Sequence, residues 1–102
     1  MARFRIEFEW DPSKASSNVA KHRVTFDAAM SVFRDPLSAT IIDDSHGADE
    51  ERWITMGSSA NGSLVLVVHT WRQTGVDSAI VRIISARKPT KREARQYAEG
   101  QP

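Results

Sequence analysis

Cysteine is absent from the 102-residue sequence. That excludes disulfides, thiolate nucleophiles and cysteine-ligated zinc, and it fits a reducing compartment. No apolar run approaches the ~20 residues needed to span a bilayer. The start, Met1-Ala2-Arg3-Phe4-Arg5, lacks the apolar stretch of a secretion signal. The expected location is therefore the cytoplasm, with no membrane partner. Repeats and low-complexity linkers are also missing, and the length suits a single domain over residues 1–102. Without cysteine, any chemistry falls to His, Arg, Lys, Asp, Glu, Ser, Thr or Tyr.

What is present is unevenly placed. The first 51 residues hold six basic and ten acidic side chains, whereas the last 51 hold eight and three. Six of the basic residues (Arg82, Arg87, Lys88, Lys91, Arg92 and Arg95) fall in one stretch with Glu93 as its single acid. Such density suits phosphate binding, although a charge run alone is equally a solvated face.

Periodicity predicts the elements. Phe4 to Trp10 alternates apolar and charged residues, which reads as a strand burying Phe4, Ile6, Phe8 and Trp10. Asp11-Pro12 supplies an N-cap and a first-turn proline for a helix to about His22. Thr25 caps a second helix with Phe26, Ala29, Met30 and Phe33 on one face, ended by Asp35-Pro36. Ala39–Asp43, Arg52–Ser59 and Leu64–Arg72 read as strands, the last central because its apolar run is continuous. A further strand ends at Arg87. Thr90 and Glu93 then form a capping box that opens a basic helix. The predicted fold class is α+β: an antiparallel meander with two N-terminal helices and one C-terminal helix.

Asn61-Gly62 predicts a two-residue type I′ hairpin. In that register Arg52 faces Trp71, Ile54 faces His69, and Glu51 faces Arg72 as a cross-strand ion pair. With even parity at the next turn, His69 lies beside Arg82. Arg52, His69, Trp71 and Arg82 then share a face, and Arg87 joins them only through a bulge in its strand. Guanidinium groups around an aromatic ring suit RNA, since they stabilise a phosphate gaining charge while the ring stacks an unpaired base. His69 would move the proton. In the alternative reading Arg52 pairs with Glu50 or Glu51, His69 is a satisfied strand residue and Trp71 is core. His22 is either a general base or a cation suited to a helix C-terminus. Asp43, Asp44, His46, Asp49, Glu50 and Glu51 have no recognised metal-ligand spacing and read as a solvated acidic loop, so no metal or cofactor is expected. Ser85 has no partners for a hydrolytic triad, and the Tyr97 ring closes the core with its hydroxyl at the surface.

Several segments together resemble the BrnT family of bacterial toxins. They are Phe8 to Ala15 with Asn18 and Lys21-His22; Val24 to Ala29; Phe33 to Leu37; Glu50 to Gly57; Arg82 to Arg87; and Glu93 to Tyr97. The resemblance implies a ribonuclease toxin of a type II toxin-antitoxin system, with a fold similar to RelE and ParE toxins. It also implies a BrnA-like ribbon-helix-helix antitoxin as partner, with operator DNA reached only through the toxin-antitoxin complex. By the same resemblance, Arg52, Arg82 and Arg87 would correspond to the family's basic active-site positions. Chemistry adds His69 and His22 to the catalytic candidates. Arg72, Trp71, Lys88, Lys91, Arg92 and Arg95 are candidate RNA-binding residues. Two other functions remain open here: a non-catalytic antitoxin-docking module acting in operon control, and a ParE-like action on gyrase.

Overall fold

The computed structural model describes residues 4–44 and 51–100. His46, Asp49 and Glu50 of the acidic loop, and Met1 to Arg3, lie outside the described residues. The chain runs β1 (Arg5–Glu9), α1 (Pro12–His22), α2 (Phe26–Val32), β2 (Ala39–Ile42), β3 (Trp53–Ser58), β4 (Leu64–His69), β5 (Arg72–Gly75), β6 (Ser78–Arg87) and α3 (Lys91–Glu99). The predicted strand Leu64–Arg72 is thus two strands, interrupted at Thr70-Trp71.

Local chemistry starts each helix as the sequence predicts. The Asp11 carboxylate accepts from the Ser13 N–H at 2.8 Å and Thr25 Oγ1 accepts from the Ala28 N–H at 3.0 Å. At α3 the capping box is complete: Thr90 Oγ1 takes the Glu93 N–H and the Glu93 carboxylate takes the Thr90 N–H.

The sheet order is β1-β6-β4-β3-β2, with β5 also on β6. β4 is central, as its apolar run requires. Most pairs are antiparallel, but β1 lies parallel to β6, with Phe8 opposite Val81 and Glu9 opposite Arg82. The chain gets there because α1 and α2 cross one face before β2 begins. Val24 from the link between them and Phe26, Ala29 and Val32 of α2 are buried against Val65, Val67, Val81, Ile83 and Ala86. Each aliphatic side chain sealed here contributes roughly 1.5–3 kcal/mol. The opposite face carries α3, whose Glu93, Gln96 and Tyr97 line a hollow with Ile41, Ile54, Met56 and Leu66.

Two registers differ from the sequence reading. The β3–β4 link has three residues, Ala60 to Gly62, between paired Ser59 and Ser63 (Ser59 N–H to Ser63 carbonyl, 2.8 Å). Only Gly62 takes positive φ, at 87°. Asn61 instead uses its side chain, accepting from the Ser59 hydroxyl and the Ser63 N–H, so no type I′ turn forms. Every cross-strand pair moves by one: Trp53, not Ile54, faces His69. On β6 a bulge leaves Ile84 unpaired, since Val68 faces Ser85 while His69 faces Ile83.

One buried polar residue fixes α1 to this sheet. The Asn18 carboxamide donates to the Val24 and Ala86 carbonyls, each at 2.9 Å, and accepts from the Ala86 N–H at 3.0 Å. It pairs with the strand edge beyond β1 as a short peptide would.

Candidate active site

Strand alternation sends neighbouring residues to opposite faces, so the corrected registers separate the predicted set. Ile83 and His69 point toward α2, and both are 1% exposed. Arg82 points the other way, its N–H bonded to Thr70 Oγ1 at 3.3 Å and its carbonyl accepting from the Thr70 N–H at 3.0 Å. The expectation that Arg52, His69, Trp71 and Arg82 share one face fails for that reason. Arg82 instead lines an open cleft with Glu9, Glu51, Thr70, Trp71, Arg72 and Ile80. The anticipated partners Glu51 and Arg72 both belong to it, although Arg72 pairs with β6 rather than β3.

Trp71 is the hinge of the arrangement. Its indole is 39% exposed and stacks on Phe4 at 5.8 Å between ring centres, so it is a surface platform and not core. It lines the Arg82 cleft and also a second hollow on the α2 side, shared with Phe33, Ser38, Thr40, Trp53, Thr55 and His69.

In that second hollow His69 is fully engaged. Its Nδ1 lies 2.9 Å from the Thr70 carbonyl and its Nε2 lies 2.7 Å from Thr55 Oγ1, which is 2.7 Å from Thr40 Oγ1. A carbonyl can only accept, so Nδ1 carries the proton. Burial lowers the pKa of His69 below its ordinary value, opposed only by the bond to Thr70. The ring is neutral at physiological pH. Phe33 packs edge-on against it at 4.9 Å.

The bulge at Ile84 returns Arg87 to the face of Arg82, by the device the sequence reading required, but five residues before Pro89. Arg87 reaches across from β6 to Glu93 on α3 through two bonds of 2.8 and 3.0 Å. The pair, with the capping bonds, holds the Glu93 carboxyl down to about 2 and raises Arg87. Tyr97, expected to leave its hydroxyl at the surface, donates it to Asp35 Oδ2 at 2.6 Å. Asp35 also accepts from the Ser58 and Leu37 N–H groups. The Ser58 bond, then Tyr97, lowers its pKa.

The remaining candidates are not among the residues that line the cleft. His22 is half-buried in the last turn of α1. Arg52 is half-buried just before β3, its carbonyl accepting from the Asp43 N–H at 2.8 Å. Lys88, Lys91, Arg92 and Arg95 are exposed between β6 and the outer side of α3. Among the described residues, no three His, Asp or Glu side chains are grouped to hold a metal ion.

A family model described as "Ribonuclease toxin, BrnT, of type II toxin-antitoxin system" matches residues 10–93. The chain belongs to the BrnT family. It is accordingly a ribonuclease toxin of a type II toxin-antitoxin system, a class defined by a cognate antitoxin and an RNA substrate. No curated protein matches. Among solved structures, the Brucella abortus ribonuclease toxin BrnT, known at 1.1 Å, aligns with a TM-score of 0.54 and 22% identity. The alignment covers 86% of this chain and 99% of that one. That likeness confirms the fold class: two N-terminal helices, a mostly antiparallel sheet and a C-terminal helix. Within this BrnT fold, the sequence reading gave no site role to Glu9, Asn18 or Asp35. All three lie in the segments that carry the family resemblance. Glu9 also follows from parity once β1 is known to run beside β6.

Proposed function

We propose that the chain cleaves RNA in the Arg82 cleft, by attack of a ribose 2′-hydroxyl on the adjacent phosphate and without a metal ion. One observation carries this reading: two guanidinium groups and two carboxylates line a single cleft beside an exposed indole. Glu9 or Glu51 takes the 2′-hydroxyl proton. The 2′-oxygen–phosphorus bond forms, the bond to the 5′-oxygen breaks, and that oxygen leaves as a hydroxyl on taking a proton from solvent. Arg82 and Arg72 stabilise the charge that develops on the phosphoryl oxygens, with Arg52 next to Glu51 adding to the local field. Trp71 stacks a base. Arg87, on the same face but tied to Glu93, holds α3 in place so that Lys88, Lys91, Arg92 and Arg95 steer the RNA backbone. His69 and His22 have no part in this scheme, because one is sealed with both nitrogens bonded and the other is not in the cleft lining.

Family membership supports a BrnA-like ribbon-helix-helix antitoxin that neutralises the toxin and carries the complex to operator DNA. It also supports action in the cytoplasm, where slowed translation would arrest growth. Among the described residues, no helix is long and apolar enough to cross a membrane.

The test is cleavage of RNA in EDTA by the purified chain and by folded Arg82→Ala, Glu9→Gln and Glu51→Gln variants, with end-group analysis. Products with 2′,3′-cyclic phosphate and 5′-hydroxyl ends are expected, with Arg82→Ala and one of the glutamate variants inactive. Magnesium-dependent 5′-phosphate products would contradict the scheme. Unimpaired growth of cells expressing the chain without antitoxin would favour a docking role instead.

A further inference from the structure

The hollow on the α2 side of Trp71 has no part in the cleavage chemistry, yet it is shaped for a ligand. Its volume is about 350 Å³, within the ~300–1,000 Å³ of small-molecule sites. Indole and phenyl rings from Trp53, Trp71 and Phe33 line it, and its polar edge is the chain of Thr40, Thr55 and His69 with Ser38 beside it. Aromatic walls with a directional polar group are what recognition of an unstacked base requires. Trp71 belongs to both hollows, so a base entering this one would leave its phosphodiester beside Arg72 and Arg82.

The hydrogen-bond chain has a fixed direction. The Thr70 carbonyl accepts from His69 Nδ1–H, so Nε2 is an acceptor and Thr55 must donate to it. Thr55, its proton committed, accepts from Thr40. Thr40 then presents only lone pairs to the hollow. At Thr40 a keto group therefore meets no donor, whereas an exocyclic amine meets an acceptor.

From this the geometry points to a base-recognition pocket, formed by Trp53, Trp71 and Thr40, for a nucleobase bearing an exocyclic amine. It rests on the RNA-cleavage reading for the identity of its ligand, and it assigns that substrate a base preference next to the cut.

Free nucleosides test it without any cleavage. The chain has three tryptophans, so indole N–H NMR signals locate binding. Adenosine should shift the Trp53 and Trp71 signals and leave Trp10 in place. Purine riboside, the same nucleoside without its amine, should bind about three- to tenfold more weakly, the worth of one hydrogen bond. Thr40→Val should erase that difference and Thr40→Ser should restore it. Thr40 is on an exposed edge strand, so both variants keep the core intact. Equal affinities in the parent chain, or shifts absent from Trp53 and Trp71, would overturn the pocket. Loss of cleavage in Arg82→Ala with no nucleoside preference would leave the nuclease reading standing and remove this one.

Discussion

The two faces of the sheet solve different problems with adjacent residues. Ile83 and Arg82 are neighbours on β6, one sealed beneath α2 and the other open to solvent. On the helical face, even the polar side chains are closed systems. Asn18 is 5% exposed with both polar atoms of its carboxamide bonded, and His69 is bonded at both nitrogens. On the open face Glu9, Glu51, Arg72 and Arg82 gather around a cleft. Burial makes a histidine a structural part, and an open cleft places guanidinium groups beside solvent.

The largest effects should separate these faces cleanly. Ile83→Ala is expected to cost about 3–4 kcal/mol of stability through the cavity it leaves, measured by urea unfolding. Arg82→Ala should leave stability within about 1 kcal/mol of the parent and reduce RNA cleavage by roughly 10²–10³-fold. If Arg82→Ala unfolds the chain, or Ile83→Ala spares it, the division between faces is wrong.

A smaller effect sharpens the comparison through pH. The folded state disfavours protonated His69, so the unfolded chain binds more protons below the ordinary histidine pKa of 6.5. Stability should be full above about pH 6.5 and fall as pH drops toward the lower folded value. His69→Gln, which cannot titrate, should flatten that slope in unfolding experiments, while a matching change at exposed Lys91 should not. The smallest effect belongs to the α3 tether. Glu93→Gln should cost about 1 kcal/mol at neutral pH. In the parent, that contribution is present above the ordinary value of 4.5 and disappears as pH falls toward 2. A variant as stable as the parent at pH 7 would show that the Arg87 pair does not hold α3.

The starts of all three helices were legible because a cap is local: Asp11, Thr25 and Thr90 each bond two or three residues ahead. The central strand was legible from its unbroken apolar run. The registers were not, because Asn61 satisfied its turn with a side chain and Ile84 was left out of the ladder. Asn18 and Asp35 escaped for another reason. Their partners, Ala86 and Tyr97, are 68 and 62 residues away, beyond any spacing rule. The arginines of the cleft were recognisable by type, but parity set which neighbours they met.

The unpaired Ile84 works as a half-step in the thread of β6. Before it, even-numbered side chains look away from α2; after it, odd-numbered ones do. Pairing Ile84 in the ladder would turn everything from Ser85 onward through half a revolution, sending Arg87 toward the apolar layer and carrying α3 with it, whereas taking the residue out would leave Ser85, Ala86 and Arg87 on their present faces. A deletion there would straighten the ladder without exchanging the two sides of the molecule.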